Sequence, residues 1–295
     1  MAIAIKKIIT IASLLLLPLT AIAENKNIHS DFTAKIKALE QKNGGRLGVA
    51  ALNTGNGERL GYKADQAFAM CSTFKLLLAA DVLARVDAGS ESLKRAVNYD
   101  ARDILEYVPV TKKHLGDGKM TVAELSAAAI QYSDNTAANL LLKNVGGPEG
   151  VTQYLRSLGD KNTRLDRIEP NLNTNLPDDL RDSTTPSAML SLMQKLLLKN
   201  ILSEKSREQL NEWLMGNTTG DKRLRAGMKS GWKIGDKTGT CDNGAANDVA
   251  IVWPNDRKPF LITVYYSESR IPLEKKEAVI AEVGRITSSM FFEDR

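Results

Sequence analysis

The spacing of apolar residues changes period twice along this chain, and those two changes limit its architecture more than any other feature. Asp31 precedes Phe32, Ile36 and Leu39, which recur at helical spacing up to Gly44-Gly45, so Asp31 reads as the cap of a first helix. Residues 47–52 and 58–62 flank the turn-rich Asn53-Thr54-Gly55-Asn56-Gly57 and predict a β-hairpin. From residue 73 to about 215 the period becomes 3.6, with stripes over 73–85, 122–131, 135–144, 150–158, 187–199 and 203–215. After Gly216 three strands are expected at 232–240, 248–253 and 259–266. An amphipathic helix from Leu273 follows, striped by Val279, Val283, Ile286 and Met290. Strand segments at both ends bracket a helical middle. The economical solution is an α/β (α+β) fold: an antiparallel five-stranded sheet flanked by terminal helices, with an all-helical domain inserted. The sheet domain is then discontinuous, over 24–66 and 216–295, and the helical domain covers 67–215.

Residues 1–23 stand apart. Lys6 and Lys7 precede an apolar run closing with Ala21-Ile22-Ala23, the form of a secretory signal peptide cleaved near Ala23. Export is expected, to the periplasm where the source cell has an outer membrane. Cleavage leaves 272 of the 295 residues, and the net charge falls from +5 to +3. Pairs such as Lys94-Arg95 and Lys112-Lys113 are scattered and read as solvated surface, which argues against a nucleic-acid partner. No later segment approaches the ~18 apolar residues of a membrane span. A soluble protein without a membrane partner is expected.

Only two histidines occur, His29 and His114, neither beside other ligand-type residues. A zinc hydrolase needs three or four converging ligands. No metal or other cofactor is therefore expected, and a Ser-His-Asp triad lacks a recognisable histidine. A catalytic base in this chain would be a lysine or a carboxylate.

Three short motifs meet that requirement. Ser72-Thr73-Phe74-Lys75 opens a strong helical run, so Ser72 and Lys75 share a face. The same spacing at Ser230-Gly231-Trp232-Lys233 leads into a strand, where residues three apart point to opposite faces. Ser72 alone could equally be an N-cap, as could Ser133-Asp134-Asn135 between two helices. Lys237-Thr238-Gly239 lies on the first late strand, and alone could be an edge strand with a bulge. A fourth segment, Arg167-Ile168-Glu169-Pro170-Asn171-Leu172-Asn173, sits in a long aperiodic loop rich in Asn, Asp and Pro, of a length that is usually functional.

Ser-x-x-Lys, Ser-Asp-Asn and Lys-Thr-Gly, in this order, form the signature set shared by penicillin-binding proteins and class A β-lactamases. The chain resembles the class A enzymes over essentially all of residues 24–295. Its loop at about 164–182 is similar to their Ω-loop, with Glu169-x-x-x-Asn173 inside and an Arg167–Asp182 closure. The resemblance implies hydrolysis of penicillins and cephalosporins through an acyl-enzyme on Ser72, and antibiotic resistance. Lys75 would take the Ser72 proton directly, or Glu169 would do so through a water. Ser133 would relay a proton to the lactam nitrogen, and the N–H groups of Ser72 and Thr240 would form the oxyanion hole. Glu169 and Asn173 would hold the deacylating water. Tyr107, Asn135, Lys237, Thr238, Gly239 and Thr240 would line the substrate cleft. The Glu169–Pro170 bond is a candidate for cis geometry. A monomer is the expectation.

Many family members carry an arginine on the strand after Lys-Thr-Gly, where this chain has Ala245-Ala246-Asn247. Arg223 resembles the substitute used by another branch for the substrate carboxylate, with Arg225 the alternative. Cys71 precedes Ser72 and Cys241 follows Thr240, so a shared oxyanion hole brings the cysteines close, and an exported protein would pair them. A disulfide there resembles class A enzymes that hydrolyse carbapenems, which leaves that substrate class open. The rivals are a D,D-peptidase without a deacylating Glu and a β-lactam receptor that acylates once.

Overall fold

The computed structural model describes residues 19–292. In chain order the elements are α1 (Leu19–Asn43), β1 (Arg46–Asn53), β2 (Arg59–Tyr62), β3 (Phe68–Ala69), α2 (Phe74–Asp87), β4 (Ala96–Asn98) and β5 (Lys119–Thr121). They continue with α3 (Val122–Gln131), α4 (Asn135–Val145), α5 (Gly147–Ser157), β6 (Ser183–Thr184), α6 (Pro186–Leu198) and α7 (Glu204–Met215). The chain closes through β7 (Lys233–Cys241), β8 (Ala245–Trp253), β9 (Phe260–Ser267) and α8 (Leu273–Phe292).

The large sheet has the order β2-β1-β9-β8-β7, antiparallel throughout, so N-terminal and C-terminal strands meet at the β1–β9 pairing. Strand alternation then builds two cores. Leu47, Val49, Ala51, Phe260, Ile262, Val264 and Tyr266 face α1 and α8, whose Phe32, Ile36, Ile280 and Val283 complete one cluster. Ala50, Leu52, Val249, Ile251, Leu261 and Tyr265 face the opposite way and join the cluster around α2, α3, α4 and α6. On β7 the same alternation turns Lys237 and Gly239 toward the helical side, where Lys237 meets Ser133 and Gly239 meets Met70 and Cys71. β7 is also an edge strand, so its outer backbone groups have no sheet partner.

The first helix departs from expectation. Asp31 does not cap it: α1 begins at Leu19, and Asp31 is an interior residue paired with Lys35 at 2.6 Å. Nothing between Leu19 and Asn43 breaks a helix, so helical backbone runs across the expected cleavage point after Ala23. Residues 1–18 of the expected leader lie outside the described residues. Among the described residues no helix is long and apolar enough to cross a membrane.

Candidate active site

Ser72 lies in a single 3₁₀ turn, Cys71–Thr73, that runs directly into α2, and no residue caps either helix through its side chain. This removes the ordinary N-cap reading of Ser72. Lys75, one turn on and fully buried, reaches back. Its Nζ donates to Ser72 Oγ at 3.1 Å, to the Ser133 carbonyl at 2.8 Å and to Asn135 Oδ1 at 2.6 Å. It also lies 3.4 Å from Ser133 Oγ and 3.0 Å from Glu169 Oε1. Burial holds the Lys75 ammonium below its usual range, with Glu169 and Asp134 partly restoring it.

Ser133 is presented by the connection between α3 and α4. Asp134 caps α4 through Ala137 N and also accepts from Val110 N, Thr111 N and Thr111 Oγ1, binding this connection to the 105–111 segment. Asn135 N donates to the Tyr107 carbonyl at 3.2 Å, and its Nδ2 donates to the Glu106 carbonyl at 3.1 Å. Tyr107 itself is 61% exposed. Cys71, Tyr107 and Ser133 all have positive φ, at 48°, 57° and 57°. Such conformations persist only where neighbours over-determine them, and they gather at sites.

β7 supplies the facing wall. Lys237 Nζ donates to Ser133 Oγ at 3.1 Å, and burial beside Lys75 pushes its ammonium well below the usual range. The register from β7 to β8 is unbroken, so Gly239 marks no bulge. Its reason is close approach: a Cβ there would lie 2.7 Å from the Met70 carbonyl oxygen and 3.2 Å from Cys71 Cβ. The Thr238 and Thr219 hydroxyls share a hydrogen bond at 2.5 Å. Exposed Thr240 accepts at Oγ1 from Arg223 Nη2 at 2.7 Å. Arg223 is buried and also donates to the carbonyls of Gly239 and Asn247. Arg225 is committed elsewhere, to buried Asp236 at 2.6 Å. The two candidate arginines are thus separated by geometry. Cys71 and Cys241 are joined, with Cα atoms 5.6 Å apart.

The third wall is the loop carrying Glu169. Its ends are fastened by Arg167 Nε to Asp182 Oδ2 at 2.6 Å, with Asp182 fully buried and also accepting from Asp166 N and Arg167 N. Glu169 is 1% exposed, 3.5 Å from Ser72 Oγ, and accepts from Asn173 Nδ2 at 2.5 Å. The Glu169–Pro170 bond is cis. The expected site residues therefore converge on one place.

Two hydrophobic-core periods do not reveal everything that holds them there. Asn139 brackets Glu169 from both sides, accepting from its N–H at 3.0 Å and donating to its carbonyl at 2.9 Å. A signal for it existed, since Asn139 is four residues after Asn135 and so on the same face of α4. The β3–β6 pairing, Phe68↔Thr184 and Ala69↔Ser183, ties the loop exit to the residues just before Ser72. Two-residue strands carry no period to read. His29 is exposed, and the His114 ring meets Asp117 at 3.3 Å. Among the described residues no group of three metal-ligating side chains occurs.

A family model described as the β-lactamase enzyme family matches residues 31–291. The chain belongs to the class A β-lactamases. It is 43% identical to β-lactamase OXY-2 of Klebsiella oxytoca over 86% of this chain and 87% of that one. It is 45% identical to β-lactamase CTX-M-8 of Citrobacter amalonaticus, over 88% and 89% respectively. Among solved structures, the class A β-lactamase of the last common ancestor of Gram-negative bacteria superposes with a TM-score of 0.87 at 56% identity, covering 88% of this chain and 99% of that one. The class A β-lactamase PenP of Rhodopseudomonas palustris, titled putative, gives 0.86 at 50%, over 88% and 99%. This β-lactamase hydrolyses the β-lactam amide and confers antibiotic resistance.

Proposed function

We propose that this β-lactamase works through an acyl-enzyme on Ser72 that Glu169 then clears. The observation that carries the reading is the placement of a buried carboxylate 3.5 Å from Ser72 Oγ and 3.0 Å from Lys75 Nζ. Ser72 attacks the lactam carbonyl once its proton is taken, by Lys75 directly or by Glu169 through a water. Lys75 Nζ at 3.1 Å and Glu169 Oε1 at 3.5 Å both lie within reach of Ser72 Oγ. The oxyanion is met by the N–H groups of Ser72 and Thr240, each donor of this kind being worth about 2.7–4 kcal/mol. Ser133, held by Lys75 and Lys237, passes a proton to the departing nitrogen. Glu169 and Asn173 position the water that hydrolyses the ester.

Asn135 and Tyr107 contact the acyl side chain, and Gly239 lets the edge strand lie close to Met70 and Cys71, just before Ser72. Lys237, Thr238 and Arg223 through Thr240 hold the substrate carboxylate. Penicillins and cephalosporins are the substrates, with carbapenems a further class to be tested. Residues 1–23 act as a cleaved leader, the enzyme is periplasmic, and it works as a monomer without cofactor, nucleic acid or membrane partner. One core, drawn wholly from 24–66 and 216–295, supports domain limits of 24–66 with 216–295, and of 67–215.

Intact mass of Glu169→Ala mixed with a penicillin tests the assignment. A stable one-equivalent adduct mapping to Ser72 is expected, and an adduct elsewhere or none would overturn it.

A further inference from the structure

Asn247 lies on β8 opposite Gly239 and is 1% exposed. No motif includes it, yet its side chain is spent almost wholly on the turn that carries Ser72. Its Nδ2 donates to the Ala69 carbonyl at 2.9 Å and the Met70 carbonyl at 3.2 Å, and lies 3.5 Å from Cys71 Sγ. Its Oδ1 accepts from Tyr266 N at 3.3 Å, which fixes the amide on β9, and its own carbonyl accepts from Arg223 at 2.7 Å.

The turn needs such support. Cys71, buried and immediately before Ser72, has φ of 48°, a conformation a non-glycine residue keeps only under constraint. Three links run from the sheet to this turn, the Thr73 hydroxyl meeting the Tyr265 hydroxyl of β9 at 3.3 Å being the weakest. Another is the Cys71–Cys241 disulfide, on β7. The third is the Asn247 amide, on β8.

We propose that Asn247 is a positioning residue for Ser72, holding the Met70-Cys71 backbone against β7 and β8 in parallel with the disulfide. The inference rests on the Ser72 and Thr240 roles given above. Only an amide fits all its partners: two carbonyls need a donor and Tyr266 N needs an acceptor. Its side chain is 1% exposed and engaged by protein groups at both Nδ2 and Oδ1, so it acts on the direction of the Ser72 N–H. Parallel links make the effects of losing them non-additive.

The test compares the parent, Asn247→Ala, Cys241→Ser and the double variant with a chromogenic cephalosporin, at a temperature where circular dichroism shows each folded. Asn247→Ala in the oxidised enzyme should lower kcat about three- to fivefold, with KM within about twofold, because the disulfide still restrains the turn. The double variant should lose at least about 100-fold, the scale of a misplaced reacting group and beyond the product of the single losses. A double loss equal to that product, or a single variant that raises KM at parental kcat, would overturn the proposal. Should the double variant not fold, the stopped-flow acylation rate of oxidised Asn247→Ala decides. A slower rate supports the link, and a parental rate overturns it. Failure of the Ser72 role would read differently, as absence of a Ser72 adduct in parent and variants alike.

Discussion

A buried lysine keeps its proton only as far as nearby carboxylates compensate for lost water, and Lys75 and Lys237 differ in that respect. Lys75 has Glu169 at 3.0 Å, whereas Lys237 has Lys75 as a repelling neighbour and is held further below its usual range. Raising the pH should therefore strip the charge from Lys237 first, and KM should climb on the alkaline side well before an ordinary lysine titrates. A pH profile of kcat and KM checks this, and a KM flat past pH ~10 would contradict it. The stability term has the opposite sense. With the folded lysine pKa lowered, the unfolded chain binds more protons between the two values, so these lysines add stability as pH rises through that window.

Asp248 shows the complementary case. It is fully buried, its Oδ1 has no partner, and burial together with the Asp236 charge pushes its carboxyl well above the usual range. The folded state then holds a proton that the unfolded state releases, and stability falls as pH rises from the ordinary carboxylate value through the raised one. Asp248→Asn imitates the protonated acid and should flatten that slope in denaturant titrations across the range. The two arginines separate in the same residue-level way. Arg223→Ala should raise KM at least about tenfold through the lost carboxylate partner. Arg225→Ala should leave KM near parental and cost about 3 kcal/mol by stranding Asp236. Steady-state kinetics beside chemical denaturation distinguish them.

At the scale of elements, the loop carrying Glu169 is regular structure replaced by polar fastening. Asp182 receives two backbone N–H groups and the Arg167 guanidinium while fully buried. Asp182→Ala should cost roughly 3 kcal/mol, as for breaking a buried pair, and should slow deacylation more than acylation. Stopped-flow separation of the two steps measures that ratio. Much of the element order was legible in the sequence. Residues 122–131 match α3 at both ends, because Thr121 and Glu124 form a capping box around a clear apolar stripe. The apolar stripe predicts α5 from 150, but the helix begins three residues earlier at Gly147, because Pro148 is at home in a first helical turn. The pairs β3–β6 and β4–β5 were invisible, being two and three residues long. The site motifs were legible because each is short and local. Asn139 left only its spacing from Asn135 as a signal, and Asn247 left none, because their importance comes from contacts 30 and about 177 residues away.

For the whole molecule, the sheet separates two cores, and the site lies where the edge strand β7 meets the helical side. The Cys71–Cys241 disulfide crosses that seam with a sequence separation of 170. In the chain-entropy model a loop of this length gives at most about 5 kcal/mol, so mild reduction should lower the denaturation midpoint clearly while leaving a folded protein. Guanidinium titrations of oxidised and reduced enzyme check it. The measurement that bears most directly on the proposed mechanism is stopped-flow mixing of the enzyme without its leader with excess chromogenic cephalosporin. Turnover far beyond one equivalent, cut to a one-equivalent burst by Glu169→Ala, is the expected result. A one-equivalent burst from the unmutated enzyme, or continued turnover without Glu169, would contradict it.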